Sequence, residues 1–228
     1  MRGPDESFRA MSSSRRTTRG TYSWVKAHYD LTVWVDPARV TSYVVKFPLA
    51  EKGSPRSLHP FVLAEDDFPE RTPVETTAKY RLMSDLLRNL SDVTQSLHYV
   101  DLCEKLQRSP EVTFRYMPVR SEREAAERLE TYGRELSDSL RNHGYRLDTG
   151  VPPGLAAIGR HGEVLKSGQG SHRFCVAREL GISPIPLRIH YVHVEWARRF
   201  GWSDALQRFL RPRGLRKGLT RVTHDHRP

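Results

Sequence analysis

The apolar positions along the chain change period several times, and each change marks an element. Leu31 to Val35 (LTVWV) alternates large and β-branched residues and predicts a strand that Asp36-Pro37 ends. Tyr43 to Phe47 predicts a second strand. Five prolines from Pro48 to Pro73 then punctuate a long irregular stretch within 41 to 74, a candidate lid. Helical spacing begins near Thr76 or Thr77, either of which can cap. Tyr80, Met83, Leu86 and Leu87 recur on one side until the stripe pauses at 89 to 92. A second helix is predicted from Val93 to about Gln107, with Leu97, Val100 and Leu106 on its packed side, Cys103 as a small buried hydrophobe, and Ser109-Pro110 as the stop. Val112 to Met117 predicts a short strand. Ser121 and Glu124 form a capping box for a charged helix to about Asn142, whose Leu129, Tyr132, Leu136 and Leu140 keep a three-four spacing and predict one packed face.

Leu155 to Ile158 and Glu163 to Lys166 flank GlyArgHisGly, a hairpin signal that delivers the chain to KSGQGSHRFCVARELGISPIPL, residues 166 to 187. Gly168 and Gly170 suit a tight turn that presents bare N–H groups. Ser171 or Gly170 is the expected N-cap of a helix to about Leu180; Gly181 suits its C′ position, and Pro184 and Pro186 prevent continuation. Ile185 to His193 predicts a buried strand with Leu187, Ile189 and Tyr191 on one face and Arg188, His190 and Val192 on the other. On a regular strand His190 and His193 point to opposite faces, which makes them poor zinc partners for each other.

The candidate chemistry sits in that turn. At one hundred degrees per residue Arg173 shares a side with Val176, Ala177 and Leu180, so it is expected to aim inward. His172 and Arg173 occupy the first helical turn, where a cation is unfavourable by roughly 0.3–1 kcal/mol unless an anion offsets it. A bound phosphate or carboxylate would supply the offset; an internal carboxylate such as Glu163 is the alternative. The candidate phosphate- or nucleotide-binding residues are therefore Gly168, Gly170, Ser171, His172 and Arg173. No residue is assigned as catalytic and none as a metal ligand; HisAspHis at 224 to 226 lies near a chain end, where histidines are more often solvated.

GQGSHRFCVARELGISPIPL resembles the Gly-x-x-x-Arg loop and helix of the ParB/sulfiredoxin-like fold, in particular a branch with a HisArg pair in the loop and a closing strand ending in a His and a Trp, here His193 and Trp196. ValAspProAlaArgVal, 35 to 40, is similar to the opening box of that fold. The resemblance covers 155 to 196 and, less fully, 31 to 40 and the helices between. It implies an α+β fold, a mixed sheet with an inserted helical segment at about 76 to 143, and a nucleotide phosphate held at the loop, with ATP or CTP and Mg²⁺ as the expected cofactors. It also implies limits. The reactive cysteine of the sulfiredoxin-like loop is replaced by Ser171, with Cys175 a turn further on, so sulfinic acid repair is not expected. The aspartate that several relatives place before the loop is absent; a general base or magnesium ligand would come from Asp36, Asp66, Asp67 or Glu163. Asp36 has the competing reading of a turn starter.

Composition adds the termini and two function classes. The hydrophobic share is 37%, below the roughly 45–50% of ordinary domains, so part of the chain is expected outside a core. Residues 1 to about 23 read as a basic disordered arm, 24 to 196 as the domain, and 197 to 228 as a basic tail. Formal net charge is +10, and the tail holds nine Lys/Arg against two Asp/Glu. No apolar run is long enough for a membrane span, and two cysteines fit no disulfide framework, so a reducing cytoplasm is expected. One class is a nucleotide-binding enzyme, a phosphotransferase or nucleotide hydrolase. The alternative is a non-catalytic module whose basic arms bind nucleic acid.

Overall fold

The computed structural model describes residues 32–44, 62–63, 70–147 and 152–199. The basic arm, the tail beyond Arg199, most of the candidate lid with Asp66 and Asp67, and His224 and His226 lie outside the described residues. The architecture is α+β. Strands β1 (Thr32–Val35), β2 (Ser42–Val44), β4 (Arg71–Pro73), β7 (Gly154–Ile158), β8 (Val164–Ser167) and β9 (Ile185–His193) form a mixed sheet in the order β1-β9-β7-β8-β2-β4. The β9/β7 and β8/β2 pairs are parallel; β1/β9, β7/β8 and β2/β4 are antiparallel. Strand β3 (Val62–Leu63) pairs in parallel with the far end of β9.

The early and late strands are interleaved, and residues 74 to 143 are inserted between them as a helical layer. Helix α1 (Ala78–Arg88) starts at Thr77, whose Oγ1 accepts from Tyr80 N at 3.3 Å, and it buries Tyr80, Met83 and Leu86 as its spacing predicts. Helix α3 (Glu122–His143) starts at Ser121, which accepts from Glu124 N at 3.2 Å; Glu124 reaches back to Arg120 N rather than to the cap itself. Leu129 and Leu140 are buried and Tyr132 and Leu136 half-buried, so the charged helix has the expected packed face. Helix α4 (Ser171–Glu179) contacts the sheet at β7, α1 lies against α4, and α3 lies against α4 and α2 (Leu97–Leu106). The chain closes with α5 (Val194–Arg199), which buries Trp196. No described helix is long and apolar enough to cross a membrane.

Three expectations need correction. The helix expected from Val93 to Gln107 is a 3-10 turn, Val93–Gln95, followed by α2, because buried Ser96 stops the first and caps the second, accepting from Tyr99 N at 3.2 Å. That restart rotates the packed face: His98 and Leu102 point inward, Leu97 and Val100 are each 46% exposed, and Cys103 is only half-buried. The strand expected from Val112 to Met117 is a hairpin, β5 (Val112–Phe114) and β6 (Met117–Val119), turning through Arg115 and Tyr116 at φ 52° and 67°. Left-handed turns of this kind usually advertise themselves with Asn or Gly, and here they do not. Finally, β9 is not regular. Ala156 pairs with Ile189 and Ala157 with Tyr191, so His190 is the extra residue of a bulge and the alternation expected along the strand breaks there.

Candidate functional site

The turn between β8 and α4 has its carbonyls drawn inward one after another. Ser167 O accepts from Lys166 Nζ at 2.6 Å, Gly168 O from Ser171 Oγ at 2.9 Å and Tyr43 OH at 3.2 Å, and Gln169 O from Lys166 Nζ at 2.8 Å and Leu155 N at 3.0 Å. In a trans peptide the C=O of one residue and the N–H of the next point opposite ways. The N–H groups of Gly168, Gln169 and Gly170 are therefore directed away from that buried set. Gly168 and Gly170 make this possible with φ of 48° and 78°. Gly170 is the N-cap of α4 and supplies no side chain, so the helix's first N–H groups follow in the same stretch. From Gln169 to Arg173, no N–H donates to a described residue. Such a run of outward amides at a helix N-terminus is a donor surface suited to an anion.

Lys166 anchors the turn from below. It is 0% exposed, and its third hydrogen bond goes to Leu155 O at 3.1 Å. The Tyr43 and Phe174 rings lie 5.6 and 5.9 Å from its Nζ. Burial first, and then the charge of Lys79, lower its pKa to about 7, with Cys175 opposing. Only the ammonium form has a hydrogen for each of the three carbonyls, which favours charge against the burial.

Beside the turn, aromatic side chains of the inserted layer pack around His172. Tyr132 OH and His172 Nδ1 are 2.8 Å apart. His98, Phe114, Tyr132 and His172 close a ring of edge-on contacts, with centroids 5.3 to 6.5 Å apart. Arg115 stacks 4.9 Å over Tyr132, and Arg173 5.7 Å over Tyr145. Neither arginine has a carboxylate partner among the described residues. Burial raises the Tyr132 phenol, so it keeps its proton. Burial, then Arg115, His98 and Lys79, depress His172 to about 4.

No protein-family model, curated protein or solved structure matches this chain. What the turn can do therefore follows from its own atoms.

The turn groups all five sequence candidates, with two changes of role. His172 is neutral near pH 7 and contributes a ring nitrogen, not the positive charge expected of it. Arg173 is half-buried at the edge of α4, beside Tyr145 and a small pocket lined also by Leu136, Ser139 and Leu140, while Val176 and Ala177 turn into the core. Glu163 is not its partner: that carboxylate pairs with Arg71 Nη1 at 2.5 Å and accepts from His161 N. Ser171 does not cap the helix with its hydroxyl, which donates back to Gly168 O. Asp36 closes its turn by accepting from Ala38 N at 2.9 Å, as the turn reading expects. Sequence reading missed Lys166, Tyr43, Arg115, Tyr132 and His98. A lysine in phase with Val164 on a strand of otherwise apolar partners was a visible signal for the first; the others come from segments joined only by the fold.

Proposed function

We propose that this chain is a phosphate- or nucleotide-binding protein of the ParB/sulfiredoxin-like fold, with the Gly168 to Arg173 turn as the phosphate site. The observation that carries the reading is the run of outward N–H groups from Gln169 to Arg173 that donate to no described residue, backed by Arg115 and Arg173, which have no carboxylate partner among the described residues. Amides and guanidinium groups of this kind bind phosphate oxygens in two-centre fashion, and a helix N-terminus adds its dipole.

ATP or CTP is the expected ligand. The donors at the turn are N–H groups and cations, which suit an anion and not a metal ion, and among the described residues no group of three His, Cys, Asp or Glu gathers. Magnesium enters this reading as the partner of the nucleotide's own phosphates. For phosphoryl transfer or hydrolysis, the Tyr132–His172 pair is the hydrogen-bonding group beside the turn, since neutral His172 offers an acceptor at one nitrogen and a donor at the other. The non-catalytic nucleic-acid module remains the second reading, favoured by the surplus of basic residues after Ala197.

The test is a thermal-shift panel with ATP, CTP, GTP and inorganic phosphate, each with magnesium. ATP or CTP should raise the melting temperature, and Arg173→Ala should abolish the rise. A panel that leaves the wild type unmoved would remove the nucleotide reading, and a shift that Arg173→Ala retains would move the site elsewhere.

A further inference from the structure

Lys166 is a fully buried lysine with no carboxylate neighbour among the described residues. From β2 it faces the Tyr43 ring, from α4 the Phe174 ring and the Cys175 thiol, from α1 the charge of Lys79, and from β7 the Leu155 carbonyl. The Cys175 thiol is pushed up to about 12 by burial, so it is uncharged at neutral pH and offers no counter-charge. Among the described residues, the only full charge facing Lys166 is therefore of its own sign. Its hydrogen bonds go to Leu155, Ser167 and Gln169 carbonyls, and two of those belong to the turn whose amides face outward.

We infer that Lys166 is the positioning residue of the phosphate site: its ammonium holds the turn's carbonyls inward, and the bound anion supplies the counter-charge that the buried cation lacks. This rests on the anion-site reading above. A neutral amine has two hydrogens for three carbonyls, so losing the proton releases one of them and loosens the outward set of amides. Conversely, an anion on the far side of the turn favours the charged amine. Binding and protonation are then linked: the ligand draws a proton onto Lys166, and affinity falls as the proton is lost. With a free-state value of about 7, Lys166 is mostly neutral at pH 8, and binding there should take up most of one proton.

Calorimetric titration with ATP and with CTP at pH 8, in buffers of different ionisation enthalpy, reads this uptake directly. The nucleotide phosphates are already ionised at that pH, so uptake reports the protein. The wild type should take up between about 0.5 and 1 proton per nucleotide, and its affinity should correspondingly fall by about sevenfold to fiftyfold between pH 7 and 9. Lys166→Met should bind more weakly and take up none. A residue with a purely structural role would weaken binding without changing the proton count. Binding with no uptake, or equal uptake in Lys166→Met, overturns the assignment while leaving the anion site standing. Absence of any heat with either nucleotide overturns the anion site itself. If Lys166→Met does not fold, ¹³Cε-lysine spectra of the wild type decide: one lysine should titrate near 7 when free and move upward with nucleotide bound, and a set of lysines all titrating normally refutes the inference.

Discussion

Protonating His172 should destabilise this fold by an amount the site geometry sets. The ring is packed against His98 and Tyr132, and burial, with Arg115, His98 and Lys79 adding to it, lowers its pKa from 6.5 to about 4. In the unfolded chain the same ring takes up a proton at about 6.5. Between those values the unfolded state binds a proton that the folded state refuses. The contribution is therefore fully present above pH 6.5 and is lost as pH falls toward 4, by about 3 kcal/mol at 1.36 kcal/mol per pH unit. His98 is also lowered by burial and acts in the same direction. Urea denaturation from pH 7 to 4 measures the loss, and His172→Gln isolates it, because the glutamine oxygen can still accept from Tyr132 OH without titrating. The wild type should lose about 3 kcal/mol more than the variant over that range. Parallel stability curves, or a His172 ring-nitrogen titration near 6.5 in the folded wild type, would refute the account of a buried neutral ring.

Two further substitutions test the turn and its surroundings. Gly170→Ala would place a Cβ 2.4 Å from Gly154 Cα at a φ of 78°, so it should destabilise by about 2–5 kcal/mol in urea denaturation and abolish nucleotide binding; a neutral effect would contradict the close approach of β7 to the turn. Cys175 is 2% exposed and its thiol is pushed up to about 12, so it should label slowly with a thiol reagent in the folded protein, and Cys175→Ala should retain nucleotide binding; rapid labelling with lost binding would reopen a redox role.

The parts of this fold legible in the sequence are those where one local signal settles the matter. Gly168, Gly170 and Gly181 have the positive φ their positions call for, Thr77 and Ser121 cap their helices, and the Leu129 to Leu140 stripe packs. The misreadings have a common physical cause: an interruption without the usual punctuation. Ser96 restarts a helix that apolar spacing alone would continue, Arg115 and Tyr116 turn a hairpin without glycine, and the β9 bulge appears only once β7 lies beside it. The site divides the same way. Its backbone half lies within six consecutive residues and was readable. Of its side-chain half only Lys166 left a local signal, because Tyr43, Arg115, Tyr132 and His98 are brought to it by packing between β2, the hairpin, α2 and α3. The charge state of His172 was out of reach for the same reason, since position in a helix argues for a cation penalty but only burial decides that the ring stays neutral.

The central claim is that the amides from Gln169 to Arg173 hold a phosphate. Amide proton–nitrogen NMR spectra recorded during titration with ATP and magnesium test it most directly, because an N–H that gains a phosphate oxygen moves to lower field. The account predicts that Gly170, Ser171, His172 and Arg173 show the largest shifts, that the Arg173 and Arg115 side-chain resonances follow, and that Arg173→Ala weakens all of them together. Nucleotide shifts centred on other elements, with the amides of this turn unmoved at saturation, would contradict it.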